Sequence, residues 1–386
     1  MSFLTLFSQT SVGSGQTYTS LRTAFNAINN GTLKGNVVLR ITSDITETSS
    51  AVLNATGTGG SSYSSVTIYP AAADILITGS FNSPLIDFNG ATNVTINGRI
   101  NNTGTALNLT INNTSTSSST WNSTIRFRNS SSNITISNCI IEGSTTSTTG
   151  GILFFSTSTS GTGNDNITIS SNNISGNSAN RPVYAIFSSG TAARENSSII
   201  ISGNNIFDHL RPASTSYGIF VSTNSTLFTI TDNNFYETAS FVSSSTAEYD
   251  IIRISNTSGG GYIVNNNRIG GNSATAGSGR FVKTNSRSNV FYGIYIEVGT
   301  TVATQANNNT IGDITWANSG ASSFTAIHIQ AGLVNVGTTS GNTIGSSDSG
   351  GSIIVTGGAA GQVFYGINIT STSAVTVNNN LIGGDN

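Results

Sequence analysis

Along much of the chain, apolar and polar residues alternate in short bursts that return at a nearly constant spacing. "ITI" stands at Ile134 and again at Ile167, "III" at Ile199, "FTI" at Phe228 and "VTV" at Val375. A period of two predicts strands with one face buried and one face wet. A second refrain, Asn followed by any residue and then Ile or Phe, comes shortly after most of these. Its anchors are Asn138, Asn172, Asn204, Asn233, Asn267, Asn309, Asn342 and Asn380, and successive anchors differ by 34, 32, 29, 34, 42, 33 and 38 residues. A third element keeps the same beat: "YAI" at Tyr184, "YGI" at Tyr217, "YDI" at Tyr249, "YGI" at Tyr292, "TAI" at Thr325 and "YGI" at Tyr365.

Synchronised elements with elastic spacing predict fixed strands joined by variable loops. Each period then makes one coil of a parallel β-solenoid. A single coil cannot bury its apolar face, but stacked coils share a core. Stacking at about 4.8 Å brings equivalent side chains into ladders. Asn suits the corner because it tolerates left-handed backbone and its amide can bond to the Asn above and below. The eight anchors are therefore expected to form one ladder.

This pattern resembles the right-handed parallel β-helix superfamily, the pectate-lyase-like solenoids. It is especially similar to the large Ser/Thr/Asn-rich β-helix surface proteins of Bacteroidetes-type bacteria. The resemblance covers nearly the whole chain and implies an all-β, right-handed parallel β-helix. It carries less about function, since the superfamily includes lyases, hydrolases, tailspikes and adhesins.

The N-terminal part departs from the refrain. "YTSLRTAFNAINNG", Tyr18 to Gly31, places Leu21, Ala24, Phe25 and Ile28 on one helical stripe. Thr19 or Ser20 can cap its start and Gly31 its end, so an amphipathic helix at 17–31 is expected to cap the solenoid of 32–386. Residues 1–16 form an extension with Phe3, Leu4, Leu6 and Phe7. It reads either as a first strand of the same chain or as a strand that pairs with another subunit. The last coil ends at Ile382 and "GGDN" without a capping element, and uncovered strand edges invite pairing. End-to-end self-assembly through Phe3, Leu4, Leu6, Phe7 and Ile382 is one expectation.

Composition narrows the partners. Charged residues make up 8% of the 386, with 14 Lys and Arg against 16 Asp and Glu and a net charge of -2. The scattered cations offer no stripe for a phosphate backbone, so nucleic acid is not expected. No apolar run is long enough to span a membrane, and one cysteine, Cys139, excludes an internal disulfide. The Ser/Thr/Asn-rich, Lys-poor character points to an extracellular or cell-surface setting.

Candidate chemistry is sparse. His209 and His328 are far apart and no Cys/His cluster occurs, so neither a metal site nor a cofactor is expected. Register brings Asp208 and Glu237 one coil apart, with His209 and Arg211 beside Asp208. Such a group could share a proton or bind calcium, or be a solvated turn in which Arg211 offsets the acids. The paired-Asp, "GHG" and "RIK" signatures of polygalacturonase-like hydrolases are absent, as is an aspartate-rich calcium site with a lyase Arg or Lys. The expectation is that the chain is not an enzyme.

With Tyr184 and Ile186 pointing inward, Leu153, Phe187, Phe220, Ile252, Tyr295, His328 and Asn368 would point out. So apolar a row is unusual on a wet face. Phe187, Phe220, Tyr295 and His328 are the candidates for carbohydrate stacking, with lateral contact or a floor beneath loops as alternatives. The expected function is a structural, adhesin-like or fibre-forming solenoid whose partners are further copies of itself or surface glycans. A polysaccharide-acting enzyme or carbohydrate-binding solenoid using Asp208 and Glu237 is the alternative.

Overall fold

The computed structural model describes every residue except 1–7, 178–179, 276–278, 285–286, 347–351, 359–360 and 384–386. The chain winds as a right-handed parallel β-helix. Three long sheets of 14, 11 and 10 strands run its length, so the described chain makes about ten coils. Sheet I runs from Ser8–Val12 to Val375–Val377, sheet II from Ile45–Thr46 to Leu381–Ile382, and sheet III from Ala51–Asn54 to Val363–Ile369. A small fourth sheet joins Phe281–Lys283, Ile314–Ala317 and Ile353–Thr356, which lie in the long inter-coil excursions.

Inward columns explain the refrain. Ile96, Ile136, Ile169, Ile201, Ile230, Val264, Ala306 and Val336 stand in register, all buried. Each fully buried Ile contributes about 1.5–3 kcal/mol, so this column of aliphatic side chains, mostly Ile, adds strongly to the cohesion of the coils. Phe88, Phe127 and Phe155 stack within the same core at 5.5 and 4.8 Å between centroids.

An asparagine ladder runs beside them. Asn172 Nδ2 donates to Asn204 Oδ1 at 3.0 Å, and the same bond repeats from Asn204 to Asn233, Asn267, Asn309, Asn342 and Asn380. Each Oδ1 also accepts the backbone N–H of the preceding Asn. Asn138 does not belong to it. Ile140 pairs with Asn173, which puts Cys139 in the ladder slot, where its N–H donates to Asn172 Oδ1. The left-handed residue is also not the ladder Asn but the one before it: Asn138, Ser171, Gly203, Asp232, Asn266, Asn308 and Asn379 all have φ between 53° and 63°.

The helix spans Leu21–Asn29, with Ser20 as N-cap in a capping box with Thr23 and Gly31 left-handed after its end. Leu21, Ala24, Phe25 and Ile28 are buried. Asn29 bonds Val52 O and Asn54 N on the outermost strand of sheet III, satisfying an edge that otherwise faces water. Of the two readings of residues 1–16, the described part fits a first strand of the same chain: Ser8–Val12 pairs in parallel with Gly35–Ile41 as the first rung of sheet I. Phe3, Leu4, Leu6 and Phe7 lie outside the described residues. In the last coil Phe364, Tyr365, Val377, Leu381 and Ile382 are exposed.

Candidate functional site

Sheet III carries the densest array of side chains outside the core. In its strand Tyr184–Ser188, Ala185 and Ile186 both turn into the core. Two consecutive inward residues leave Tyr184 and Phe187 on the same outer face, where their rings stack at 4.4 Å. The next coil repeats this with Tyr217 and Phe220 at 4.9 Å, and the pairs stack on each other, Tyr184 on Tyr217 at 5.0 Å and Phe187 on Phe220 at 5.6 Å. Phe154 extends the stack by one rung, 5.3 Å from Phe187.

The register corrects the expected row. Asp87, Arg126, Phe154, Phe187, Phe220, Arg253, Tyr295, His328 and Asn368 form one outer column. Leu153 and Ile252 face the core instead. For Ile252 the cause is a one-residue slip, since Asp250, not Tyr249, pairs with Tyr217; Leu153 aligns with the inward Ile186, not with Phe187. Tyr184, expected inward, faces out because of the double inward step.

Accessibility along the column is uneven. Phe187, Tyr295 and His328 keep less than a tenth of their surface, being covered largely by neighbouring rings, whereas Tyr217, Phe220, Arg253 and Tyr292 are partly exposed. Arg253 lies over the Tyr295 ring at 3.9 Å and donates to both Glu248 and Asp250 at 2.8 Å. Burial, with Glu248 alongside, pushes the Asp250 carboxyl up to about 7, and its Oδ1 has no hydrogen-bond partner. Burial raises the Tyr217 and Tyr295 phenols too. His328 sits 5.1 Å from Tyr295 and bonds Gln330.

At the other end of the column, Asp87 holds two guanidiniums. Arg126 grips it bidentately at 2.9 and 2.8 Å, and Arg128 Nε reaches it at 3.0 Å. Arg126 also lies over the Trp121 ring at 5.0 Å. An open cavity of about 280 Å³ is lined by Trp121, Arg126, Arg128, Asn129, Ser156, Thr157 and Thr159. No signal in the refrain points to these arginines, because Asp87 lies in a coil that precedes the first anchor, Asn138.

The other expected acids are together but sealed. Asp208 and Glu237 both pair with Arg181, Asp208 Oδ1 at 3.3 Å and Glu237 Oε2 in direct contact. Arg181, rather than Arg211, is their counter-ion; Arg211 Nη1 donates to Arg181 O. The group is no solvated turn, since Glu237 and His209 are fully buried. Burial pushes Glu237 up to about 7, with Arg181 opposing and Asp208 adding to the rise. Burial, helped by Arg181, pulls His209 down to about 3, and neither ring nitrogen has a hydrogen-bond partner. Asp208 is fixed by Thr238 through Oγ1 at 2.6 Å and N at 3.0 Å. A substrate cannot reach Glu237 or His209, and the cluster reads as a structural pin between coils. Among the described residues no three His, Cys, Asp and Glu side chains converge as a metal site would need, and no helix is long and apolar enough to cross a membrane.

No protein-family model matches the chain, and no curated protein matches it by sequence. Solved structures similar in fold include the following three. The alginate lyase from Paenibacillus sp. str. FPU-7 has a TM-score of 0.43 and 10% identity, over 94% of this chain and 99% of that one. PfbA, a surface adhesin of Streptococcus pneumoniae, gives 0.39 and 11%, over 92% and 86%. ORF18 of Geobacillus virus E2 gives 0.32 and 11%, over 91% and 56%. At these identities the likeness concerns the β-helix fold alone. It does correct the expectation that the chain is not an enzyme: a lyase stands beside an adhesin among the similar structures, so missing hydrolase signatures do not exclude catalysis on this fold.

Proposed function

We propose that the protein is an adhesin-like β-solenoid of the extracellular or cell surface that holds polysaccharide along the outer face of sheet III. The observation that carries this reading is the out-facing aromatic stack, whose reachable rings are Tyr217, Phe220 and Tyr292, bordered by Arg253 and its two carboxylates. Ring faces with a few placed polar groups suit the apolar C–H faces and hydroxyl edges of sugars. The reachable rings are spread over three rungs, Tyr217 and Phe220 on one and Tyr292 two rungs on with Arg253 between, a spacing that fits a polymer better than a compact ligand.

The test is a panel of neutral and acidic oligosaccharides titrated calorimetrically into the full chain and into Tyr217→Ala and Phe220→Ala. Binding that weakens about tenfold in either variant supports the reading, each ring contact contributing about 1 kcal/mol or more. A folded wild type that holds no glycan at millimolar concentration sinks it. The same samples assayed for new reducing ends and unsaturated products measure turnover; Glu248, Asp250, Arg253 and Tyr295 are the groups on this face to substitute if product forms.

A further inference from the structure

We propose that the cavity under Trp121 is a subsite for an anionic sugar unit, so that the polysaccharide held by sheet III is an acidic one; this rests on the glycan-binding reading above. Three observations converge there. Two guanidiniums share the single Asp87 carboxylate, which leaves one net positive charge beside the cavity. Asp87 fixes both forks: it uses Nε and Nη2 of Arg126 but only Nε of Arg128. The terminal nitrogens of Arg128, and Nη1 of Arg126, have no hydrogen-bond partner among the described residues, and Arg128 remains partly exposed. A planar fork with free N–H groups is suited to a carboxylate or sulfate.

The second observation is Trp121 itself. Nearly half its surface is exposed, and its backbone is left-handed with φ 65°. Left-handed backbone is unfavourable for a bulky residue, and strain of this kind gathers where a side chain must be presented to a ligand. Burial does not hold the indole there, since one face meets Arg126 and much of the rest meets water. The third is the remaining lining, polar rather than apolar: Thr157 and Thr159 are exposed beside the charge, Ser156 is buried behind them, and Asn129 bonds Asn89 and Thr159 and holds the latter in place. An aromatic plate, a paired cation and two exposed threonine hydroxyls match a sugar that carries an acid. The cavity lies on the same column as Phe220, the nearest reachable ring, three rungs away across the covered Phe154 and Phe187, or about 14 Å at about 4.8 Å per rung, a span that a bound oligosaccharide bridges.

The experiment compares ligands on the intact protein. Oligouronates, sulfated oligosaccharides and the carboxyl-reduced form of the same oligouronates are titrated at low and high salt. The assignment predicts that one acidic set binds about tenfold tighter than its neutral counterpart, as one charge-assisted contact implies. Salt near 1 M, where charges are screened within about 3 Å, should erase that preference. Arg128→Gln should lower the affinity of the acidic set about tenfold, to that of its neutral counterpart, and Trp121→Ala should weaken both. Whether uronate or sulfate gains the advantage identifies the acid. If reduced and acidic forms bind equally, or the preference survives Arg128→Gln, the subsite assignment falls while the glycan-binding reading stands. If no oligosaccharide binds, that reading falls and this one with it. The ligand comparison and salt series on wild type need no variant to fold.

Discussion

Replacing Asn204 with Ala tests how much the ladder contributes. The Asn204 side chain makes four hydrogen bonds: Nδ2 donates to Ile169 O at 2.9 Å and Asn233 Oδ1 at 3.0 Å, and Oδ1 accepts from Asn172 N and Nδ2, both at 3.0 Å. Ala removes all four. Asn172 Nδ2 keeps its bond to Ile136 O, but the Asn172 backbone N–H is left without a partner in a buried site. At about 1 kcal/mol per bond, the loss is about 4 kcal/mol. Asn380→Ala is the control. Its side chain also makes four bonds, to Asn342 N and Nδ2, Val336 O and Asn378 O. It sits in the partly exposed last coil, where water can replace them, so its expected cost is about 1 kcal/mol. Asn204→Asp should be worse than Ala, because a carboxylate oxygen would then face Ile169 O and Asn233 Oδ1. Urea unfolding followed by far-ultraviolet circular dichroism gives the differences, and amide exchange at Asn172 reports the orphaned N–H directly. Equal costs for Asn204→Ala and Asn380→Ala, or less than about 1 kcal/mol for the former, would refute the view that buried amide pairing holds the coils in register.

The sealed cluster makes two further predictions. Arg181→Met strands the Asp208 and Glu237 carboxylates and should cost about 3–5 kcal/mol at neutral pH. Part of this should return as Glu237 takes up its proton while the pH falls from about 7 towards 4.5, and a pH-independent loss in thermal melts would contradict the pairing. His209 is held neutral with its folded value near 3 against an ordinary 6.5. Stability is therefore lost as pH falls through that window, by about 1.4 kcal/mol per pH unit. Glu237, raised to about 7, gains stability over part of the same interval as pH falls from about 7 to 4.5. The gap between His209→Phe and wild type should widen steadily below about pH 6.5, and a constant gap in melting temperature would show that His209 does not titrate on unfolding.

Much of the fold was legible in the residues, because period-two alternation and the Asn-x-Ile anchors are local signals that stacking reads directly. The capping helix was legible for the same reason, its stripe and caps lying within Tyr18 to Gly31. What failed was register at single rungs. Cys139 occupies an Asn slot, so the nearest Asn, Asn138, drew the anchor one residue too early. "YDI" matches the Tyr refrain although Asp250 is the residue that aligns. The faces of sheet III were misread because Ala185 and Ile186 both turn inward, which period-two reasoning does not allow for. Arg181 and Asp87 were missed as partners because they stand 27 and 39 residues from Asp208 and Arg126, outside any recurring motif. Their role emerges only when coils are stacked.

The ladder also governs how the molecule bears load. Strand-to-strand hydrogen bonds run along the solenoid axis, so tension applied between its two ends pulls on them head-on, a few at a time, rather than shearing a whole sheet. Coils should then peel away singly from an end. Rungs are separated by 29 to 42 residues, and an extended residue spans about 3.4 Å, so each release should lengthen the tether by about 100–140 Å. A chain anchored at one end and gripping a polymer on its flank would yield in small steps under drag, dissipating work at every rung while the remaining coils keep their grip.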